Sequence, residues 1–294
     1  SVCASNDELT YLPFKNNDTG FTATAADVGI AIGLKKGNTL RDQINTVLAE
    51  ITDEQRSELM EQIVTLASGG TVTEFAVHCD APATTTGTLK IGMECAYEPY
   101  NWTDTEGTSL GAVPISSEGQ SGLYANGYDV MIAQKIADAN GWTLEIVSSA
   151  WDSLCPAVQA GTMDANIAGQ SMTADRMNEV DMAGPYYYAT IVVLTTKDSQ
   201  YANAASIADL AGGTCTSQSG TIWYDSCLPQ IENTNLLAPA DSAPAMIMQL
   251  QTGAVDYVCT DMPTALAAVA KDDNLVILNF SGTDGDFQFA TEEE

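Results

Sequence analysis

Basic residues are scarce in this chain. Its 294 residues include 10 lysines and arginines against 39 aspartates and glutamates, which gives a formal net charge of −29 at pH 7. A nucleic-acid-binding protein carries a basic face, so this charge balance excludes nucleic acid as a partner. The same acidity would repel anionic lipid and disfavours an anionic ligand, although one local arginine can override the mean field.

Long apolar runs and processing signals are also missing. No stretch reaches the roughly 18 consecutive apolar residues that indicate a membrane-spanning helix. The first residues, Ser1 to Asp7, lack the basic and apolar regions of a signal peptide. That absence does not indicate a cytosolic protein. The length suits one large domain or two linked lobes, and 45% apolar residues are enough for a sizeable core.

Metal and cofactor signatures are absent as well. The seven cysteines show no CxxC or Cys/His spacing typical of zinc, and we expect the single histidine, His78, to be exposed. No phosphate loop of the form GxxxxGK[ST] occurs, so nucleotide binding is not expected. We therefore expect no metal and no cofactor. Cysteines such as Cys155 and Cys259 are expected to be buried thiols rather than a disulfide frame.

Strands and helices alternate along the chain. Apolar runs predict strands at 27–34, 88–93, 143–147, 163–168, 191–196, 213–217, 254–259 and 275–280. Helical spacing or capping predicts helices at about 40–51, from Thr52, at 129–139, at 151–160, after Thr173, from about 221 and at 263–270. This alternation indicates an α/β protein with mostly parallel sheets, whose ligands lie beyond the carboxyl ends of strands. The turn-rich residues 68–87 are predicted to be a linker.

One segment, Ala168–Arg176, suggests an anion site. It follows a predicted strand and leads into a helix that Thr173 is expected to cap. Helix N-termini attract anions, and an arginine fork binds a carboxylate through two hydrogen bonds. An ordinary capped helix with a solvated arginine would leave the same pattern, so other segments must decide.

Four further clusters lie at predicted strand ends or helix starts. They are Gly92–Tyr100, Ala150–Leu154, the Ser/Gly-rich turn Thr216–Thr221 and Val255–Asp261. Arg176, Ser171 and Thr221 offer donors to a carboxylate, and Asp261 offers an acceptor to an ammonium group. Tyr97 and Trp151 offer aromatic walls, and each of these residues also has a purely structural interpretation. Together they complement a zwitterionic α-amino acid.

The motifs also resemble those of a known family. The matching segments are Leu89–Trp102, Asn126–Val130, Ala150–Leu154, Ala168–Arg176, Gly184–Tyr187, Gln218–Thr221 and Val255–Asp261. The chain is similar to the amino-acid-binding proteins of ABC importers, bacterial solute-binding protein family 3, over residues 27–67 and 88–290. The resemblance implies the two-lobed Venus-flytrap, type II periplasmic-binding-protein fold. It also implies an extracellular, periplasmic or cell-surface-anchored protein.

The resemblance further implies a role for each site residue. Arg176, helped by Ser171 and Thr221, would hold the α-carboxylate, and Asp261 with the Ala168 or Gly169 carbonyl would hold the α-amino group. Tyr97 and Trp151 would enclose the ligand side chain, and Glu94 would meet its far end. Gln170 and Ser219 are further candidates from the same two turns. The implied partners are a free L-amino acid, with arginine or lysine favoured and glutamine next, and the membrane subunits of an ABC importer.

The chain order departs from the family. The strand and two helices that usually come last stand first, at 27–67. The expected division is therefore 27–67 and 88–192 for lobe 1 and 193–285 for lobe 2, with crossovers near 191–197 and at 286–290/27–30. Residues 286–294 would begin the return to lobe 1, and residues 1–26 would form a duplicated edge segment.

An internal repeat supports that duplication. Residues 5–28 align without gaps on residues 271–294 at an offset of 266, with six identical pairs among 24. This match predicts that the chain spans slightly more than one unit of a tandem array of binding domains, or descends from such a unit by permutation. The alternative is a chance match between two acidic hairpins. We expect residues 275–280, rather than 9–14, to occupy the strand position in the second lobe, because a short connection joins them to the preceding helix.

Two other functions remain open on the sequence alone. A ligand-sensing module of a receptor would use the same pocket, and only flanking domains would distinguish it. An enzyme resembling cyclohexadienyl dehydratase has the same fold, but such an enzyme does not need an ammonium acceptor. Asp261 therefore favours a binding protein over an enzyme.

Overall fold

The computed structural model of the protein describes residues 19–281. Within them the strands are β1 (Gly29–Leu34), β2 (Gly87–Met93), β3 (Ala96–Tyr97), β4 (Asn101–Asp104), β5 (Val113–Pro114), β6 (Tyr124–Asn126), β7 (Trp142–Ser148), β8 (Ala165–Asn166), β9 (Asp181–Tyr188), β10 (Ile191–Thr196), β11 (Thr214–Thr216), β12 (Asn235–Leu236), β13 (Tyr257–Asp261) and β14 (Leu275–Leu278).

The helices stand between these strands. They are α1 (Ala25–Val28), α2 (Leu40–Ala49), α3 (Asp53–Ala67), α4 (Tyr128–Ala139), α5 (Leu154–Ala160), α6 (Ala174–Glu179), α7 (Ala243–Gln251) and α8 (Met262–Lys271). Short 3-10 turns occur at Trp151–Ser153, Ile207–Leu210 and Leu228–Gln230, and a π-helical turn occurs at Trp223–Cys227. The helix predicted from about 221 is therefore a π turn followed by a 3-10 turn.

A first five-stranded sheet has the order β7-β2-β8-β1-β9. Strands β7, β2 and β8 run parallel, whereas β1 pairs antiparallel with both β8 and β9. All six residues of β1 are buried, which fits a continuous apolar run covered on both faces of a sheet. The first strand of the described residues thus lies between two strands that come more than a hundred residues later. We call this sheet and its helices the first lobe.

A second five-stranded sheet has the order β12-β11-β13-β10-β14. Strands β12, β11 and β13 are parallel, and β10 is antiparallel to both β13 and β14. Each large sheet therefore contains one strand that opposes the parallel set, so the sheets are less uniformly parallel than predicted. Strand β14 occupies the edge that we expected residues 275–280 to take, while residues 9–14 lie outside the described part. We call this sheet and its helices the second lobe.

A third, four-stranded sheet, β3-β4-β6-β5, was not predicted. Its strands are antiparallel and two to four residues long, too short to show a periodic apolar pattern. The sheet follows β2, and its first strand, β3, carries Tyr97. It therefore forms one side of the predicted site.

Local capping signals are confirmed. Thr52 and Gln55 form the predicted capping box of α3, and the Thr173 hydroxyl accepts the Arg176 N–H at the start of α6. The predicted linker 68–87 has no helix or strand before β2, but it is not free of the core. Phe75 and Val77 are buried, 7% and 2% exposed, so apolar contacts hold this segment against the first lobe.

The chain crosses between the lobes at Ala189 and Thr190, between β9 and β10. This position precedes the predicted 191–197, because 191–196 is entirely a strand of the second sheet. The Ala189 N–H donates to the Val28 carbonyl at 2.8 Å, so the segment entering β1 lies beside the crossover. Earlier residues contact the second lobe, where Ile207 N–H donates to the Thr19 carbonyl at 2.9 Å. Residues 19–28 are thus a second connection between the lobes.

Candidate functional site

The predicted site residues meet between the two lobes. Glu94 follows β2 and Asp261 ends β13, so both stand at the carboxyl ends of parallel strands, where α/β sheets place ligands. The Ala168–Arg176 segment approaches from the first lobe, and the 216–221 turn approaches from the second. Three polar contacts join the lobes here: Tyr97 to Asp261, Gln218 to Glu94 and Arg176 to the Gly220 carbonyl.

Arg176 lies at the start of α6, with its backbone N–H capped by Thr173. Its guanidinium donates to the Ser171 carbonyl at 2.6 Å and to the Gly220 carbonyl at 3.1 Å. Burial lowers the pKa of Arg176, but an arginine keeps its charge at neutral pH. The guanidinium is thus a cation held between carbonyls of both lobes, and a ligand carboxylate would be a stronger acceptor than either carbonyl.

Asp261 is completely buried and performs two tasks. One carboxylate oxygen caps α8 by accepting the Thr264 N–H at 3.0 Å, which was the structural alternative for this residue. The other accepts the Thr264 hydroxyl at 3.1 Å and the Tyr97 hydroxyl at 2.5 Å. Burial raises the pKa of Asp261, while its hydrogen bonds oppose that rise. No lysine or arginine forms an ion pair with it among the described residues, so its acceptor capacity is available to an ammonium group.

Two aromatic rings, those of Tyr97 and Trp151, pack together beside these polar groups. Tyr97 and Trp151 are 4% and 7% exposed, with ring centroids 6.5 Å apart at an interplanar angle of 73°. The Arg176 guanidinium carbon lies 5.7 Å from the centroid of the Trp151 ring, within the range of a cation–π contact. Behind Tyr97, Tyr100 stacks at 5.0 Å. Trp151 therefore packs against Tyr97 and also contacts the Arg176 guanidinium.

Glu94 of the first lobe contacts the second lobe through Gln218. Its carboxylate accepts a hydrogen bond from the Gln218 side chain at 3.2 Å, across the lobes. Burial raises the pKa of Glu94 to about 7; the Gln218 hydrogen bond opposes this rise and the Asp152 charge adds to it. Gln218 is 2% exposed and was not among the predicted site residues, although it belongs to the 216–221 turn. Its contact with Glu94 joins residues that are distant in the chain, so no local sequence pattern indicates it.

The turn 168–171 contributes mainly its backbone. Gly169 has φ +65°, and a Cβ there would lie 2.6 Å from Tyr97 Cε1, so only glycine allows this approach. Ala168 is 1% exposed. The Gln170 side chain is 3% exposed and its oxygen accepts from Asn166 at 2.8 Å, so that oxygen serves the interior of the first lobe. Ser171 is buried and its carbonyl holds Arg176.

The opposite turn holds Ser219 and Thr221. The Ser219 N–H donates to the Ala240 carbonyl at 2.9 Å, which ties the turn to the second lobe. The Thr221 hydroxyl donates to the Gln218 carbonyl at 2.8 Å and therefore stabilises its own turn. Both residues are partly exposed beside Gly220, the residue whose carbonyl meets Arg176.

Residues 19–281 contain no group of three or more His, Cys, Asp or Glu side chains that could hold a metal ion. The His78 side chain is 69% exposed and pairs with Asp80, and Cys155 and Cys259 are buried free thiols. Across the same part of the chain, no helix has both the length and the apolar character that crossing a membrane demands.

Known proteins resemble this chain in sequence and in fold. Residues 89–243 match the model of the bacterial extracellular solute-binding proteins, family 3. The chain belongs to this family. A probable histidine-binding protein of Campylobacter jejuni is 27% identical over 71% of this chain and 73% of its own length. An L-cystine-binding protein of Bacillus subtilis is 26% identical over 68% of this chain and 62% of its own length.

Solved structures of solute-binding proteins also resemble this chain. The arginine-bound, truncated arginine-binding protein of T. maritima has a TM-score of 0.54 and 29% identity, over 65% of this chain and 81% of that one. The type II periplasmic-binding-protein fold is therefore confirmed, and the chain belongs with solute-binding proteins rather than with enzymes. The comparisons do not test the permuted chain order.

Proposed function

We propose that this protein captures a free L-amino acid by closure of its two lobes and delivers it to an ABC importer. The favoured ligands are arginine and lysine, with glutamine next. One observation carries the proposal: Arg176 of the first lobe lies against the Trp151 ring, Trp151 packs against Tyr97, and the Tyr97 hydroxyl donates to Asp261 of the second lobe. An α-amino acid needs such a cation and such an anion at the same time.

In this proposal Arg176 holds the α-carboxylate, assisted by Ser171, Ser219 and Thr221. The carboxylate would replace the Ser171 and Gly220 carbonyls that now accept from the guanidinium. Because those contacts already fix the fork, little side-chain freedom remains to be lost on binding. We propose no separate role for Gln170 beyond support of this turn, since its oxygen accepts from Asn166.

Asp261 would hold the α-amino group, with the Ala168 or Gly169 carbonyl as a second acceptor. The Tyr97 hydroxyl, which now donates to Asp261, would share that carboxylate or yield to the ammonium. An ammonium is the stronger partner because it brings a full charge to a buried carboxylate.

The ligand class depends on Glu94. Its carboxylate is mostly buried opposite Gln218 and has no lysine or arginine ion pair among the described residues. A guanidinium or ammonium side chain would supply that charge, and aromatic walls suit a guanidinium. A glutamine amide could donate to Glu94 and accept from Gln218, which is why it stands next.

Closure would bring the first lobe, which extends to β9, against the second lobe, which begins with β10, about the two connections at 189–190 and 19–28. The three cross-lobe contacts at the site would form on closing and break on opening. Hinge closure around a ligand is the usual motion of proteins built this way. The importer's membrane subunits and an extracellular, periplasmic or surface-anchored location belong to the same proposal, supported by the family's extracellular character.

The permuted order also remains a proposal. Near the start of the described chain, the Thr19 hydroxyl lies 3.4 Å from the Phe280 carbonyl, and Phe21 and Phe280 have ring centroids 6.5 Å apart. The segment leading into β1 thus begins beside the region that follows β14. This proximity supports a permuted domain or an array of neighbouring binding domains; finding no repeat at this spacing in the full gene would contradict the array.

Isothermal titration calorimetry with the standard amino acids tests the ligand proposal. We expect heat from arginine, lysine or glutamine with Kd in the micromolar range or tighter, about −8 kcal/mol or better. Glu94→Gln is the matched variant: it should weaken arginine binding far more than glutamine binding. Strong binding of leucine or glutamate, with no response to the three favoured ligands, would contradict the ligand class.

A further inference from the structure

A second buried carboxylate, Asp129, lies behind the cleft. It stands in the first turn of α4 and is 0% exposed, yet its hydrogen-bond donors are all neutral. The Tyr186 hydroxyl donates to one oxygen at 2.6 Å, and the Asn101 amide donates to the other at 2.8 Å. Burying a carboxylate without a cation costs free energy, which these hydrogen bonds must offset.

The Asn101 branch leads to the loop that carries Tyr97. The Asn101 side-chain oxygen accepts the Cys95 N–H at 2.7 Å, two residues before Tyr97. The start of α4 holds the same loop, because the Asp129 N–H donates to the Tyr100 carbonyl at 2.8 Å. Gly127 permits this approach, since a Cβ there would lie 2.3 Å from the Tyr100 carbonyl oxygen. One helix start therefore fixes both ends of the loop.

The Tyr186 branch leads to the turn on the other side of Tyr97. The Gly169 N–H donates to the Tyr186 hydroxyl at 3.2 Å and contributes to the environment of Asp129. The Gly169 backbone in turn presses on the Tyr97 ring. Asp129 thus connects the two segments that enclose Tyr97, while the Tyr97 hydroxyl reaches Asp261 in the other lobe.

We infer that Asp129 is a positioning residue for ligand binding, which sets Tyr97 and the Gly169 carbonyl at the distance from Asp261 that an amino acid requires. It acts through Asn101 and Tyr186 and does not touch the ligand. This inference rests on the proposed function, because it assigns Tyr97, Gly169 and Asp261 to the ligand's α-amino end. It predicts that disturbing the acceptor pattern of Asp129 weakens binding in protein that is still folded.

The donor pattern provides a sharp test. In Asp129→Asn, one of the two contacts loses its acceptor, because the new amide nitrogen faces either the Asn101 amide nitrogen, which Asn101 cannot turn away while its oxygen accepts from Cys95, or the Tyr186 hydroxyl, which then can no longer donate there. In Asn101→Asp, two buried carboxyl groups would meet at about the same spacing, where they must either repel each other or take up a proton that the wild-type contact does not need. The double variant Asn101→Asp with Asp129→Asn restores one donor and one acceptor at each contact and leaves the net charge unchanged.

Binding of arginine, lysine and glutamine is measured by calorimetry at a temperature at which circular dichroism shows each variant fully folded. We expect each single variant to lose about tenfold or more in affinity for every ligand that the wild type binds, as misplacement by a fraction of an ångström would cause. The double variant should recover to within about threefold of wild type. Asp138→Asn, on the same helix but bonded to Gln134, should bind as wild type does.

Tyr186→Phe covers the case in which a single variant fails to fold, since it removes only the hydroxyl between Asp129 and Gly169. It too should bind more weakly while remaining folded. Folded Asp129→Asn or Tyr186→Phe with wild-type affinity, or a double variant no better than the singles, overturns the inference alone. A wild-type protein that binds no amino acid overturns the proposed function, and this inference with it.

Discussion

Glu94 should make the binding of a cationic amino acid depend on pH near neutrality. Burial raises the pKa of this carboxyl to about 7, so at pH 7 about half of the unliganded protein carries it in the neutral form. A guanidinium or ammonium side chain binds the ionised form. The ligand therefore has to displace a proton from Glu94 whenever the pH lies below that pKa.

Arginine affinity should therefore fall as the pH falls. With a pKa of about 7, the ionised fraction of Glu94 falls from about one half at pH 7 to about one hundredth at pH 5, so protonation of Glu94 alone should lower arginine affinity by about fiftyfold over that range. At pH 8 about nine-tenths of Glu94 is already ionised, so above that pH the affinity should change by only about 10%. The pKa of Asp261 is also raised by burial, and that carboxylate must be ionised to hold any α-amino group. Its titration therefore affects arginine and glutamine alike.

The ratio of the two dissociation constants isolates Glu94. Calorimetry with arginine and with glutamine, from pH 5 to pH 8 at constant ionic strength, should show the ratio moving against arginine as the pH falls. Glu94→Gln should abolish that movement while leaving the common dependence from Asp261. A ratio that stays constant in the wild type, or one that moves equally in Glu94→Gln, would refute the reasoning.

Other perturbations test the rest of the site. Arg176→Ala should cost about 2–5 kcal/mol in binding of every amino acid, because a buried carboxylate loses its charged partner; calorimetry showing affinity within a few-fold would remove Arg176 from the pocket. Gly169→Ala should destabilise the fold by about 1–3 kcal/mol in urea unfolding and weaken binding, since φ +65° and the Tyr97 ring both oppose a Cβ. An unchanged urea midpoint would contradict that close approach. Glu98→Gln removes an ion pair with Lys271 at the rim between the lobes, where the Lys271 side chain is 52% exposed. We expect less than about a fivefold change in affinity, shrinking further at high salt; a larger loss that persists in high salt would mean that this pair contributes strongly to closure.

Local rules were enough to predict the capped helix start that carries Arg176. The capping of α6 by Thr173 depends on neighbours three residues apart, and such short-range geometry also set the Thr52 capping box and the bounds of β10. Asp261 was likewise accessible from sequence, because it ends an apolar strand of the kind that delivers side chains to a ligand edge.

Non-local pairings could not be predicted in the same way. Gln218 faces Glu94 across more than a hundred residues of chain, and nothing in the 216–221 turn indicates which side chain points at the other lobe. The small sheet containing Tyr97 has strands too short for a periodic signal. The Asp129 network joins segments on three different elements, so its meaning appears only when all three are placed.

The position of β1 determines the order in which the lobes can mature during synthesis. This strand is made early but cannot pair until β8 and β9 have emerged, so the first sheet remains open until residue 188 is available. It can then close completely, because every strand of that sheet lies before the crossover at 189–190. Only afterwards does the ribosome deliver β10 to β14. The nascent chain should therefore produce one finished lobe and then the other, with the long-range closure of β1 as its slow step.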